Sequence, residues 1–192
     1  MRSRPGHRLR FCWVLPCCLL AGCLLLHHPV KAQPAKTPFD KKIDSTVKAL
    51  PCPAPSEQMP VTMNAALVKD PVSGEMAVLI KALIAPGWHL YAYVPSDMPY
   101  IKTECLLDLP PGLTAAGGWQ KSPSSPSATD QGVFIWEKEA IFVQRLQPGK
   151  TDTGKMDTGK MDKGRLRTGL SYQTCDLRQC LPPAEKWFEL EF

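Results

Sequence analysis

Short apolar segments recur through most of the chain at intervals of roughly ten residues, and clusters of Pro, Gly, Ser and Asp separate them. Segments of this kind that are rich in aromatic and β-branched residues are typical of β-strands. No stretch shows a convincing amphipathic helical period, so the pattern predicts an all-β protein, an antiparallel β-sandwich of about seven to nine strands. The predicted strands lie at residues 61–69, 76–84, 88–94, 101–109, 113–119, 133–146, 165–174 and 187–192.

Two of these segments also indicate what surrounds them. In segment 76–84 the apolar residues occupy both alternating positions, which is typical of a strand covered on both faces or central in a sandwich. Segment 133–146 is interrupted by Glu137, Lys138 and Glu139, which predicts either two strands or one bent strand.

The beginning of the chain has a different pattern. Residues 1–32 contain five basic side chains and no acidic one, and residues 11–26 are almost wholly apolar. Because this apolar run is short for a membrane span, we interpret residues 1–32 as a secretory signal peptide. The small residues Val30 and Ala32 favour cleavage before Gln33.

A second type of processing is compatible with the same region. Residues 20–23, Leu-Ala-Gly-Cys, fit a bacterial lipobox, in which Cys23 would be lipidated and become the N-terminus of the mature protein. Residues 24–26 would then leave three leucines outside the signal. Soluble export and a lipid anchor at Cys23 therefore remain alternatives.

Two further regions lack core-forming residues. Residues 33–58 are rich in Pro, Lys and Ala, and we interpret them as a Pro-rich N-terminal arm or linker before a sandwich domain at 59–192. Within that domain, residues 150–164 contain a small repeat of Gly, Asp, Lys, Thr and Met, which predicts a flexible, solvated loop. The repeat has no Glu at the closing position of a calcium loop and contains lysines, so we expect no calcium site.

Charge and cysteine content narrow the classes of function. The signal region accounts for five of the 23 basic side chains and for none of the 18 acidic ones, so the mature chain is electrically neutral. A neutral chain without a basic stripe gives no support to nucleic-acid binding, and we expect no transmembrane span in the mature chain. Export would place it in an oxidising compartment, where paired cysteines form disulfides by default. Outside the signal region the cysteines are Cys52, Cys105, Cys175 and Cys180.

The most informative stretch is residues 172–183, with the sequence YQTCDLRQCLPP. A fully extended chain would hold the Cα atoms of Cys175 and Cys180 about 17 Å apart, whereas a disulfide needs about 5.5 Å. If the two cysteines bond, residues 176–179 must form the connection of a hairpin that carries the thiols on its facing arms. The two prolines that follow cannot donate to a strand ladder, so the second arm is short or lies at an edge, which exposes the sulfurs.

The segment GLSYQTCDLRQCLPPAEKWFEL, together with APGWHLYAYVP, resembles the N-terminal periplasmic domain of the thiol-disulfide interchange protein DsbD. The likeness spans residues 59–192. It implies an immunoglobulin-like β-sandwich in which Cys175 and Cys180 are a reversible redox pair. The family's domain uses this disulfide to pass reducing equivalents from a membrane-embedded partner to periplasmic oxidoreductases.

The resemblance also implies which residues surround the disulfide. The family covers it with a mobile cap loop that bears an aromatic side chain, and residues 131–137 occupy the comparable place, with Phe134 or Trp136 as the shield. Tyr91 and His89 match aromatic positions that line the site.

Residues of the motif complete the candidate site. Tyr172 is the aromatic residue that opens the motif, while Arg178 lies between the cysteines and could favour a thiolate that Asp176 would oppose. The sequence does not assign the attacking thiol to Cys175 or to Cys180. We expect no cofactor and no metal, since a zinc site needs more ligands than two neighbouring cysteines.

The partners follow from the same resemblance. The sequence contains neither the membrane bundle nor the thioredoxin-like domain of full-length DsbD, so we expect a separate electron donor, either thioredoxin-like or a DsbD/CcdA-type membrane protein. The expected acceptors are exported thiol oxidoreductases. The expected location is exported and periplasmic, with a membrane-anchored lipoprotein as the alternative.

Other functions stay open. The disulfide could be purely structural in a non-redox immunoglobulin-like interaction module, or the chain could be a folding helper that traps client cysteines. A structural bond would gain little here, since closing a loop of about six residues contributes only about 2 kcal/mol. Cys52 and Cys105 could form a second bond or remain free.

Overall fold

The computed structural model describes residues 35–149 and 164–192. The predicted signal peptide at 1–32, with its lipobox alternative, lies outside the described residues, as does nearly all of the predicted loop at 150–164. The described chain contains one helix, α1 (Pro38–Ala49), and twelve strands. The strands are β1 (Val61–Lys69), β2 (Met76–Ile84), β3 (His89–Tyr93), β4 (Glu104–Asp108), β5 (Leu113–Ala115), β6 (Gln120–Lys121), β7 (Ser125–Pro126), β8 (Phe134–Trp136), β9 (Glu139–Pro148), β10 (Arg165–Tyr172), β11 (Thr174–Cys175) and β12 (Ala184–Glu191).

The strands form three antiparallel sheets. The first has the order β1-β2-β9-β5, and β6 also pairs with β9; the second has the order β12-β10-β4; the third has the order β11-β3-β8-β7. The predicted all-β fold of antiparallel sheets is confirmed. The described strands outnumber the prediction because β6, β7 and β11 have only two residues each, too few to produce an alternating apolar pattern.

Segment 133–146 forms two strands. β8 and β9 are separated at Glu137 and Lys138, and Lys138 has a φ of 65°. A non-glycine residue in this left-handed region is uncommon and marks a sharp change of direction. The polar interruption therefore ends one strand and starts another in a different sheet.

The main core lies where the three sheets meet. Ile80 and Phe142 from the first sheet pack in one cluster with Leu170 from the second sheet and with Leu90 and Trp136 from the third. Their exposed fractions are all 3% or less, so the large side chains of the central strands are withdrawn from water. Burial of such side chains provides most of the free energy that holds the sheets together.

Strand β2 is covered on both faces, as its double apolar pattern predicts. Ile80 faces the main core, whereas Ala77 and Leu79 point to the opposite face and pack against helix α1. Successive side chains of a strand point to opposite faces of the sheet, so one strand can serve two clusters.

Helix α1 contradicts the expectation that no stretch of the chain forms an amphipathic helix. Its buried residues Phe39, Ile43 and Val47 are spaced four apart and form one narrow stripe, while the remaining positions are mostly polar. Thr37 and Asp40 form a capping box at the first turn, which satisfies backbone N–H groups that would otherwise lack partners. Residues 38–49 are thus packed on the first sheet rather than a free arm.

Candidate functional site

A tight turn brings the two motif cysteines together. The backbone N–H of Asp176 donates to the carbonyl oxygen of Gln179 at 2.9 Å. The Oδ1 atom of Asp176 also accepts the backbone N–H groups of Arg178 and Gln179, each at 2.7 Å. These backbone donors favour the charged carboxylate and lower the pKa of Asp176. The turn is thereby fixed by its own first residue.

The cysteines face each other across the turn and form a disulfide. They pair as an isolated antiparallel bridge, with their Cα atoms 4.0 Å apart. The neighbouring hydrogen bonds, from Asp176 N to Gln179 O and from Leu181 N to Thr174 O, lie on either side of the pair. Directly opposite residues without mutual hydrogen bonds are the closest pairs in antiparallel structure, which allows the two sulfurs to reach each other.

The two cysteines differ in exposure. Cys175 lies on β11 and is 1% exposed, whereas Cys180 is exposed. A thiolate of another protein can therefore approach the disulfide from the side of Cys180. Cys175 is protected by protein on its side of the bond.

The third sheet explains this protection. In its register Cys175 lies opposite His89, and Tyr91 lies opposite Ile135. Cys175, Tyr91 and Ile135 form one cluster with Val133, while the alternating residues of the same strands face the main core. The disulfide thus stands on the face of this sheet that is turned away from the main core.

A buried tyrosine lies next to the sulfur of Cys180. The hydroxyl oxygen of Tyr91 lies 4.0 Å from Sγ of Cys180, and its ring stacks on Tyr100 at a centroid distance of 4.7 Å. Burial, with smaller effects of Tyr100 and Asp130, raises the pKa of Tyr91 to about 12. Tyr91 therefore keeps its proton at neutral pH and can donate a hydrogen bond to a thiolate at Cys180.

The loop at 94–103 covers the cluster. Val94, Met98 and Tyr100 pack against the buried residues around Cys175. The backbone N–H of Ile101 donates to Oε1 of Gln173 at 3.0 Å, which ties this loop to the segment just before the first cysteine. These contacts hold the loop against the cluster around Cys175.

A second loop, which contains Asp130, holds Tyr100 of the covering loop. The hydroxyl of Tyr100 donates to Oδ1 of Asp130 at 3.1 Å. Asp130 also accepts hydrogen bonds from the hydroxyls of Ser127 and Thr129, and these donors hold its pKa below the usual range. The sequence analysis does not name Tyr100, Asp130 or Gln173 as site residues; the first two lie outside the predicted strands, and Gln173 is part of the motif without an assigned role.

The structure separates the two proposed shield residues. Trp136 is 3% exposed, packs against Phe142 in the main core and donates through Nε1 to the carbonyl oxygen of Ser122. Phe134 is 39% exposed on β8, with its ring 6.4 Å from that of Tyr93. Trp136 is therefore a core residue, and of the two only Phe134 is at the surface.

The other predicted site residues lie at different distances from the chemistry. His89 is half-buried, and its ring meets Tyr91 edge to face at 4.9 Å. Tyr172 packs against the main core, and burial raises its pKa. Arg178 is exposed at the turn, where it lines a surface groove of about 550 Å³ together with Leu177 and Trp88. The structure thus brings Tyr91 and His89 to the disulfide and leaves Tyr172 in the core.

Comparison with known proteins gives structural neighbours only. No protein-family model and no curated protein matches the sequence. The N-terminal periplasmic domain of ScsB from Proteus mirabilis is similar, with 20% identity and a TM-score of 0.45, covering 72% of this chain and 49% of that chain. The N-terminal domain of Neisseria meningitidis DsbD in the reduced form has 17% identity and a TM-score of 0.42, covering 73% of this chain and 94% of that chain. The GAE domain of yeast GGA1 has 9% identity and a TM-score of 0.37, covering 73% of this chain and 96% of that chain.

The chain spans about half the length of the ScsB structure that it matches. Within residues 35–149 and 164–192, no helix is long and apolar enough to cross a membrane. The same ranges contain no group of three or more His, Cys, Asp or Glu side chains arranged to hold a metal ion.

Cys52 and Cys105, the other two cysteines within the described residues, are free and do not form the second bond that the sequence left open. Sγ of Cys52 lies 3.5 Å from the carbonyl oxygen of Lys81, whereas Cys105 lies on β4 and packs against the main core. Burial raises the pKa of Cys52 and raises that of Cys105 to about 11. Both thiols are therefore mostly protonated at neutral pH and react slowly.

Proposed function

We propose that the chain is an exported thiol-disulfide exchange domain that relays electrons through the reversible disulfide of Cys175 and Cys180. The observation that carries the proposal is the asymmetry of the bond: one cysteine is exposed and the other is buried in an aromatic cluster. Exchange requires a sulfur that an incoming thiolate can reach, and this arrangement offers one. The resemblance of the motif to DsbD supports the same function.

The size of the loop also favours exchange over a structural role. The disulfide joins residues only five positions apart, so on the chain-entropy estimate it stabilises the fold by only about 2 kcal/mol. The hairpin is in addition held by backbone and side-chain hydrogen bonds of Asp176. The turn therefore has its own support when the bond is reduced.

The exchange would proceed in two steps. A donor thiolate attacks Sγ of Cys180, a new intermolecular disulfide forms, and Cys175 leaves as a thiolate with the electron pair of the broken bond. The donor's second thiolate then attacks its own sulfur in the mixed disulfide and releases Cys180. Tyr91 can stabilise the charge on Cys180 through its hydroxyl hydrogen. The reduced domain passes the two electrons on by the reverse sequence.

The proposed partners follow from the sequence resemblance. The donor would be a separate protein, either thioredoxin-like or a DsbD/CcdA-type membrane protein, and the acceptors would be exported thiol oxidoreductases. The location would be periplasmic, with release after Ala32 or a lipid anchor at Cys23. We propose no bound cofactor and no nucleic-acid partner.

A measured reduction potential tests the proposal. Purified protein is equilibrated with glutathione or dithiothreitol buffers, with Cys52→Ser and Cys105→Ala as a background that leaves one dithiol. We expect a potential between about −270 and −120 mV, the range of known exchange proteins. A potential below about −300 mV would instead identify a structural disulfide and favour the non-redox interaction module.

A further inference from the structure

His89 occupies the position directly opposite Cys175 in the pairing of β3 with β11. Opposite residues of antiparallel strands have Cβ atoms about 4.5–5.5 Å apart and point to the same face of the sheet. The ring of His89 meets Tyr91, which belongs to the buried cluster around Cys175. His89 is therefore the histidine that stands beside the buried cysteine.

The imidazole of His89 has an unused nitrogen. Its Nε2 atom is enclosed by protein and has no hydrogen-bond partner among the described residues. A buried polar atom without a partner costs free energy, and such exceptions are concentrated at functional sites. The side-chain hydroxyl of Thr174 donates a hydrogen bond to the backbone carbonyl oxygen of His89 and leaves the imidazole ring uninvolved.

The charges around His89 allow it to take up a proton. Burial lowers the pKa of His89, so that the neutral imidazole is present at neutral pH. Three carboxylates raise the pKa of His89: Glu137 just after β8, Asp130 in the second loop and Asp176 in the turn. Tyr91 and Tyr100, the other titratable side chains of the cluster, are held in the protonated form. The surroundings thus hold a neutral base and can stabilise an imidazolium that forms briefly.

Cys175 needs such a base in the proposed relay. After Cys180 has attacked an acceptor disulfide, Cys175 must attack Sγ of Cys180 to release the acceptor. Cys175 is buried, and burial in apolar surroundings disfavours a thiolate. Without help, this step would depend on the small fraction of Cys175 that is ionised at neutral pH.

We propose that His89 is the proton acceptor for Cys175 in this resolving step. The thiol proton of Cys175 passes to Nε2 of His89, and the sulfur forms a new bond to Sγ of Cys180. The bond between Cys180 and the acceptor sulfur breaks, and the acceptor leaves as a thiolate with the electron pair. The dithiol is thereby oxidised and the acceptor is reduced by two electrons, after which the imidazolium returns its proton to solvent or to the departing thiolate. When electrons enter the domain, Cys175 leaves as a thiolate, and His89 takes up a proton from solvent and passes it to that thiolate. This inference rests on the proposed exchange function.

The test separates the two thiols by their kinetics. Reduced protein in the Cys52→Ser, Cys105→Ala background is mixed with dithiobis-nitrobenzoate, and release of thionitrobenzoate is followed by stopped-flow absorbance. The first equivalent reports the attack of Cys180, and the second reports the attack of Cys175 on the mixed disulfide. In the protein with His89, the rate of the second phase should rise with pH as the imidazole loses its proton, and because burial lowers the pKa of His89 it should already be flat at neutral pH.

Two variants remove the base and keep the site filled. His89→Phe preserves an aromatic ring against Tyr91, and His89→Gln preserves a polar side chain if the Phe variant does not fold. We expect the second phase to slow by about 100-fold at pH 7 and to rise steadily to alkaline pH, because general-base assistance is typically worth 10²–10⁴-fold. The first phase should remain within about twofold and serves as the internal control.

Three results would contradict the proposed role of His89. A folded variant that keeps the flat pH profile and the original second-phase rate overturns the role of His89. Equal slowing of both phases also overturns it, because that result indicates a purely structural residue. If the protein with His89 reacts with the reagent but never forms the Cys175–Cys180 disulfide, the proposed exchange function fails first, and this inference fails with it.

Discussion

At the scale of single residues, the difference in exposure between Cys175 and Cys180 favours one order of action in the proposed exchange. Exchange would begin at the cysteine that a partner can reach, which is the exposed Cys180. Cys175 is 1% exposed and would react afterwards, with Cys180. The sequence shows two equivalent cysteines in one motif, and it could not show this difference, because exposure is set by packing from Tyr91 and the covering loop.

A pair of single-cysteine variants tests this order. In the Cys52→Ser, Cys105→Ala background, Cys175→Ala leaves Cys180 as the only thiol, and Cys180→Ala leaves Cys175. Each is mixed with a thioredoxin-like protein that carries thionitrobenzoate on its attacking cysteine. We expect the variant that retains Cys180 to release thionitrobenzoate and form the mixed disulfide at least about tenfold faster.

The background protein without Cys175 and Cys180 is the matched control and should show no fast release. Equal rates for the two variants, or a faster reaction of the variant that retains Cys175, would contradict the assignment.

At the scale of elements, the sequence was sufficient where a pattern repeats over many residues. The bounds of β1 and β2 agree with the apolar segments 61–69 and 76–84, because long strands display their alternation fully. Helix α1 escaped detection because its apolar stripe has only three buried residues among charged ones. The sequence leaves Phe134 and Trp136 as alternative shield residues because two aromatic residues of one segment look equivalent, and only their packing shows that Trp136 belongs to the core and Phe134 to the surface.

Helix α1 should contribute measurably to stability. Phe39 is 1% exposed, packs among the apolar residues on the outer face of β2 and carries the guanidinium of Arg145 over its ring at 5.2 Å. We expect Phe39→Ala to lower the free energy of unfolding by about 3–5 kcal/mol through the lost contacts and the cavity. Denaturant unfolding of the purified protein measures this change.

Lys41→Ala, at an exposed position of the same helix, is the control and should change stability by less than about 0.5 kcal/mol. The cluster that contains the buried residues of the helix has no residue in common with the cluster around Cys175. The reduction potential of the folded Phe39→Ala variant should therefore be unchanged. A loss of less than about 1 kcal/mol would mean that the helix is not packed on the sheet as the structure has it.

At the scale of the whole molecule, a relay domain must remain folded in both redox states. The main core joins all three sheets through residues outside the turn, such as Ile80, Phe142 and Leu170. The disulfide closes a short local loop and adds only about 2 kcal/mol. By linkage, folding stabilises the disulfide by the same free energy. The reduction potential of the folded protein is therefore only about 40 mV lower than that of the same cysteines in the unfolded chain. A weakly coupled bond of this kind is suited to reversible exchange.

This coupling predicts the behaviour of the reduced protein. Reduction should lower the midpoint of thermal unfolding by about 4–8 °C, since 1 kcal/mol corresponds to about 2–4 °C for a domain of roughly 150–250 residues. The transition should stay cooperative, and the near-ultraviolet circular dichroism of the buried aromatic residues should be retained at 25 °C. A variant with Cys175→Ala and Cys180→Ala should show the same decrease without any reductant, which separates loss of the bond from side effects of the reducing agent. If reduction instead unfolds the domain at 25 °C, the disulfide is needed to hold the sandwich together, and no donor could reduce it without destroying the structure that presents Cys180 to its partners.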